Sequence, residues 1–124
     1  MREIKFRAFY QGKMYKVNLI DWDTGVLELE IGENDAWEVK IFDVELMQFT
    51  GLKDENGKEV YEGDLVRTND TNWSDLYGNV SVVEWDEFTA GFHRRLDLEG
   101  RRFDRCIDTI EVLGNIHETP NLLI

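Results

Sequence analysis

At 124 residues the chain is long enough for one domain that buries a core without disulfides or metals. Apolar residues make up 42% and aromatics 12%, including four Trp, which excludes a disordered chain and assigns the many charges to a solvated surface. A formal charge of -12 leaves no Lys/Arg surplus to neutralise phosphates, so direct nucleic-acid binding is not expected. The lone Cys106 excludes an intrachain disulfide. Charged residues near the start replace the apolar stretch of a signal peptide, and no apolar run reaches membrane-spanning length, so no membrane association and a cytoplasmic location are expected.

From Glu3 to Tyr10 the chain alternates, with Ile4, Phe6, Ala8 and Tyr10 on one face and Glu3, Lys5 and Arg7 on the other, the period of a half-buried strand. Gln11-Gly12-Lys13 reads as a three-residue hairpin loop into a second strand, Met14 to Ile20. Asp21 to Gly25 punctuates the chain. Val26 to Ile31 and Trp37 to Ile41 then alternate apolar and charged residues around a Gly32 to Asp35 turn, completing a four-stranded meander over residues 1–45.

The stretch from Leu46 to Thr68 is the architectural centre. Asn56-Gly57 between two apolar-containing runs predicts a hairpin, with a type I′ turn because such turns require positive φ at both central positions. Gly57 is expected in the left-handed region, and Gly63-Asp64 marks the bend into the next strand. Tyr61 and Val66 are expected to face a core shared with Val82 and Val112. Beyond a polar excursion from Asn69 to Gly78, Val80 to Trp85 reads as a central strand, Glu87 to Gly91 turns it toward Phe92 to Leu96, and Ile110 to Leu113 closes the set. Gly114-Asn115 is expected to break that strand, and the tail around Leu122 to be buried. Leu98 to Asp108 fits either a short helical turn or an irregular edge. Many short strands with Gly-rich turns make the fold class all-β: an N-terminal β-meander packed with a partly closed, SH3-like small barrel or sandwich over residues 46–124, in a single domain.

Three segments resemble the YopX family of small phage and prophage proteins. They are Arg2-Glu3-Ile4-Lys5-Phe6-Arg7-Ala8-Phe9, the run from Met47-Gln48-Phe49-Thr50-Gly51-Leu52-Lys53-Asp54 to Tyr61-Glu62-Gly63-Asp64-Leu65-Val66, and Ile110-Glu111-Val112-Leu113-Gly114-Asn115-Ile116-His117-Glu118 with Pro120. They bracket nearly the whole chain, while Asn69 to Gly78 has no counterpart among them. The resemblance implies a β-rich domain of phage origin and brings no catalytic or binding residues with it.

No pattern of residues specifies a reaction. His93 and His117 lie in different elements without Cys at ligand spacing, so neither a metal nor another cofactor is expected. Asp21, Asp23, Asp35, Asp64, Asp70, Asp86 and Glu87 fall at predicted turns, where carboxylates cap backbone N–H groups. Cys106 has no candidate base nearby in sequence. Arg94, Arg95, Arg101, Arg102 and Arg105 concentrate positive charge in an acidic chain, and Trp73 and Tyr77 stand out in a polar loop, so these seven form the candidate interaction patch. Asp97, Glu99 and Asp104 offer the same arginines a solvated pairing instead. The functional expectation is a non-enzymatic accessory protein acting through protein–protein contacts, as a homo-oligomer or with a host or phage protein. Unpaired edge strands such as Glu3 to Tyr10 would offer the contact. The alternative is an acidic mimic of nucleic acid that sequesters a host DNA-binding protein, recognisable by carboxylates in a duplex-like row.

Overall fold

The computed structural model describes residues 4–68, 80–86, 91–94 and 110–123. The fold is mainly β with antiparallel pairing, and no barrel closes among the described strands. Two compact units divide the chain, Met1–Gln48 and Phe49–Ile124.

In the first unit, β1 (Phe6–Tyr10), β2 (Lys13–Asp21), β3 (Val26–Gly32) and β4 (Asp35–Lys40) form the expected meander. The β1–β2 connection is a residue shorter than expected: Tyr10 faces Lys13 across it. Gln11 and Gly12 both have positive φ, at 48° and 82°, so this turn has the type I′ geometry that matches the twist of a two-residue hairpin. The start of β5 (Glu45–Lys53) pairs along the other side of β1, Phe6 against Gln48 and Phe9 against Glu45. β1 is therefore an interior strand, which corrects its reading as a free edge. The outermost strand is β4, which has a neighbour only in β3 among the described residues.

Alternation sorts the side chains of this sheet. One face carries Ala8, Leu27 and Leu29, all fully buried, with Tyr15, Val17, Ile20, Val39 and Leu46 packed around them. The opposite face, which follows from the ladder partners, carries Arg7, Lys16, Glu28, Glu38 and Lys40. A bulge between Val17 and Leu19 turns Leu19 onto that charged face, opposite Glu28.

In the second unit, the rest of β5 pairs with β6 (Glu59–Tyr61), and a second sheet has the order β10-β7-β8-β9, from β7 (Asp64–Thr68), β8 (Val80–Asp86), β9 (Gly91–Arg94) and β10 (Ile110–Asn115). Val60, Val66, Val83 and Ile110 are fully buried together, with Leu52 and Val112 against them. Each such side chain contributes about 1.5–3 kcal/mol by leaving water. This cluster corrects two expected members: Val60 takes the place expected of Tyr61, and Val82 is buried but faces away from Val83, with Leu65 as its ladder partner. Tyr61 packs on Phe49, ring centroids 5.4 Å apart. β10 does not stop before Gly114-Asn115; it absorbs them through a bulge between Val112 and Gly114. The tail forms a 3₁₀ turn, Pro120–Leu123, alongside β8, and Leu122 stays 37% exposed where burial was expected.

The 54–58 turn joins β5 to β6 as expected, with Gly57 at φ 81°. Its type differs: Asn56 does not have positive φ. Asp54 N–H donates to the Lys58 carbonyl (2.8 Å) and Gly57 N–H to the Asp54 carbonyl (3.0 Å), the pattern of a three-residue loop closed by a left-handed Gly. The Asp54 carboxylate selects it, since Oδ1 accepts the backbone N–H of both Asn56 and Lys58 at 2.9 Å.

Candidate interaction surface

Buried polar side chains are the first place to look for chemistry, because burial without a partner costs about 1–3 kcal/mol and is retained only for a reason. In the second unit Thr50, Asp54, Asp64 and Asn115, all buried, bond the backbone. Thr50 donates its hydroxyl to the Val60 carbonyl (2.7 Å) and accepts from Leu52 N–H (3.2 Å), holding the irregularity around left-handed Gly51. Asp64, 1% exposed, accepts from Tyr61 N–H at 2.7 Å and fixes the bend at Gly63. Asn115 Oδ1 accepts from the N–H groups of His117 and Glu118, while its Nδ2 donates to Glu118 Oε1 at 2.8 Å. Thr119 Oγ1 accepts from Asn115 N–H and donates to the Asn115 carbonyl.

Asp54 does the most. Besides its two turn bonds, Oδ2 accepts from Val112 N–H at 2.9 Å, and Glu55 N–H donates to the Ile110 carbonyl at 3.0 Å. The loop tip thus fills backbone groups on the outer edge of β10, which would otherwise be open to another strand. Burial is the largest single influence on this carboxyl and pushes its pKa up. The N–H groups of Val112, Lys58 and Asn56, with the Lys58 charge, outweigh it and hold the pKa below the ordinary carboxylate value.

Among the described residues no group of three or more His, Cys, Asp or Glu is placed to hold a metal ion, and no helix is long and apolar enough to cross a membrane. Of the expected patch, only the Arg94 backbone, at the end of β9, is described; its side chain and Arg95, Arg101, Arg102, Arg105, Trp73 and Tyr77 lie outside the described residues. Cys106, Asp70 and Glu87 lie outside them too. His117 sits in the turn that Asn115 holds. Asp21 and Asp35 accept backbone N–H groups at their turns, as their positions suggested.

The surface that departs from expectation is in the first unit. Ile4, Leu19, Trp22 and Phe42 are 72%, 56%, 65% and 94% exposed. All four gather toward one end of the sheet: Ile4 before β1, Leu19 near the end of β2, Trp22 in the β2–β3 turn and Phe42 in the 3₁₀ turn Ile41–Asp43 after β4. Ile41 N–H donates to the Gly25 carbonyl at 2.8 Å, tying the two turns together. Asp21 Oδ1 holds the Trp22 turn by accepting from Asp23 and Thr24 N–H, and its pKa is lowered, chiefly by the Thr24 backbone and hydroxyl. Trp22 meets Phe6 edge-on at 6.3 Å, and an open groove of about 340 Å³ runs between residues 4–6 and 17–20 with Trp22 at its side. On β4, Trp37 leans on Tyr15 at 6.1 Å and remains 49% exposed.

The sequence model described as YopX protein matches residues 5–124. The chain belongs to the YopX family. Among solved structures, this YopX chain is similar to the crystal structure of protein EF1440 from Enterococcus faecalis, with a TM-score of 0.68 and 24% identity over 100% of both chains, a likeness of fold. No curated protein matches it. The YopX segments recognised in the sequence are those whose Thr50, Asp54, Asp64 and Asn115 bond the backbone, so their chemistry is that of turns and edges. Ile4 belongs to the first of those segments, whereas Leu19, Trp22, Trp37 and Phe42 fall outside them. The available signal was Trp22 within the polar punctuation Asp21 to Gly25, where turn geometry has no use for a large aromatic.

Proposed function

We propose that this YopX-family chain is a non-enzymatic accessory protein of phage or prophage origin, acting in the bacterial cytoplasm through protein–protein contacts as a homo-oligomer. The supporting observation is the exposed apolar end of the first unit's sheet, where Ile4, Leu19 and Trp22 line one open groove and Phe42, after β4, is exposed at the same end. Single exposed apolar residues need no explanation, but several of them at one end of a sheet support a contact surface. The buried carboxylates and hydroxyls detailed above serve the backbone, which favours binding over catalysis. Light scattering at high micromolar concentration tests the reading: a multiple of the chain mass is expected, and a strictly monomeric mass overturns it. Mimicry of nucleic acid has less support, because Arg7, Lys16 and Lys40 interrupt Glu28 and Glu38 on the charged face of that sheet.

A further inference from the structure

The exposed strand β4 carries a second message. Ile41 N–H points at the Gly25 carbonyl, on the β3 side. Backbone groups alternate along a strand, so those of Trp37 and Val39 also point toward β3, and those of Ala36, Glu38 and Lys40 point away from the sheet. No described strand receives them. Asp35, Trp37, Glu38 and Lys40 are all exposed, so no described residue covers this edge. Proteins usually blunt such an edge with a lysine. Here Lys40 has an opposite charge two residues away, Glu38, on the same face, and neither makes an ion pair among the described residues. Glu38 instead stands directly opposite Glu28 of β3, a like-charge rung that opposes pairing.

From this pattern we infer that β4 is a self-complementary docking edge, pairing antiparallel with β4 of a second copy about a two-fold axis through Val39. In that register Glu38 of each copy faces Lys40 of the other, and the two residues exchange backbone hydrogen bonds. Val39 meets Val39 on the Ala8 face. Trp37 faces the second copy's Ile41, and the almost fully exposed Phe42 reaches the Ala36 end of the opposing strand. The second copy's Lys40 adds a positive charge beside the Glu28–Glu38 rung, relieving its repulsion. A lysine alone would deter any incoming strand; the Glu38–Lys40 spacing deters strands in general and admits this one. The occupant is therefore a second copy of the chain, the kind of isologous contact that builds closed dimers.

The inference rests on the homo-oligomer reading and is separable from it. Glu38→Lys and Lys40→Glu each convert both cross-copy pairs to like charges, and each should raise the dimer dissociation constant by about tenfold or more. The double swap Glu38→Lys with Lys40→Glu should restore it. Both side chains are exposed, so each variant should still fold, as a cooperative thermal melt would show. As a measurement independent of charge, Val39→Cys in a Cys106→Ser background should cross-link under mild oxidation into a dimer, because facing residues at a two-fold axis bring their Cβ atoms within disulfide reach. A dimer indifferent to all three charge variants and without the cross-link would place the interface elsewhere, leaving the homo-oligomer reading intact. A monomeric wild-type chain would remove both.

Discussion

Asp54 is a residue whose identity, beyond its charge, the fold needs. Its two oxygens accept three backbone N–H groups, from Asn56, Lys58 and Val112. Asparagine would keep Oδ1 for the turn but present an amide N–H to Val112 N–H, donor against donor. We expect Asp54→Asn to cost about 1–3 kcal/mol in urea unfolding, with no gain from the lost charge; a change within error would mean the Val112 bond is dispensable. Titration gives a second check. The folded pKa of Asp54 is lowered, so its contribution is complete above the unfolded value, about 3.9, and is lost as pH falls through the lower folded one. The wild type should lose stability in that acid window more steeply than Asp54→Asn, and parallel curves would contradict it. Asp54 also shows why the turn type was not legible. Asn56-Gly57 correctly announced a hairpin, but the choice between loop geometries lies with a carboxylate outside the two-residue signal.

At the scale of elements, glycines test which constraints are local. A Cβ at Gly57 would meet nothing within 4 Å, so only its φ of 81° resists substitution. Gly57→Val should therefore cost about 1–2 kcal/mol through backbone strain alone, and Gly57→Asn markedly less, as melting temperatures would report. Gly114 is the reverse case: its φ is ordinary, but a Cβ there would land on Thr119 Oγ1. That hydroxyl is engaged with Asn115, so Gly114→Ala should destabilise more than Gly57→Ala and loosen the 115–119 turn. Equal effects would show that the turn yields freely. Strands were readable because period-two alternation is a local property, and β1 to β4 follow it. The interior position of β1 was not, because pairing Phe6 with Gln48 is a choice between distant segments, and β5 reads equally well as one arm of the central hairpin. The same limit hid the exposed end of the first sheet. Ile4 and Trp22 are far apart in the chain and come to line one groove only through that topology, which also brings Phe42 to the same end of the sheet.

Across the whole molecule, a net charge of -12 is self-repelling. Raising ionic strength from about 0.01 to 0.15 M shortens the screening length from about 30 to 8 Å, so the melting temperature should rise over that range. A fall would mean that attractive pairs such as Arg67–Glu111, at 2.8 Å across β7 and β10, outweigh the repulsion. That pair is partly exposed, and a pair of this kind contributes at most about 1 kcal/mol.

The loop tip that covers the edge of β10 also bears on synthesis. Its bonds join Asp54 and Glu55 to Val112 and Ile110, while Gly63 accepts from Ile116 N–H. These are contacts of long sequence separation, closed only once the C-terminal strand has emerged from the ribosome. Until then the 54–58 turn can form but has nothing to clasp, and the nascent second sheet lacks its closing strand. A ribosome-stalled chain ending before residue 110 should therefore be cut readily by protease within residues 49–68, and release of the full chain should bring protection of that stretch and of β10 in a single step.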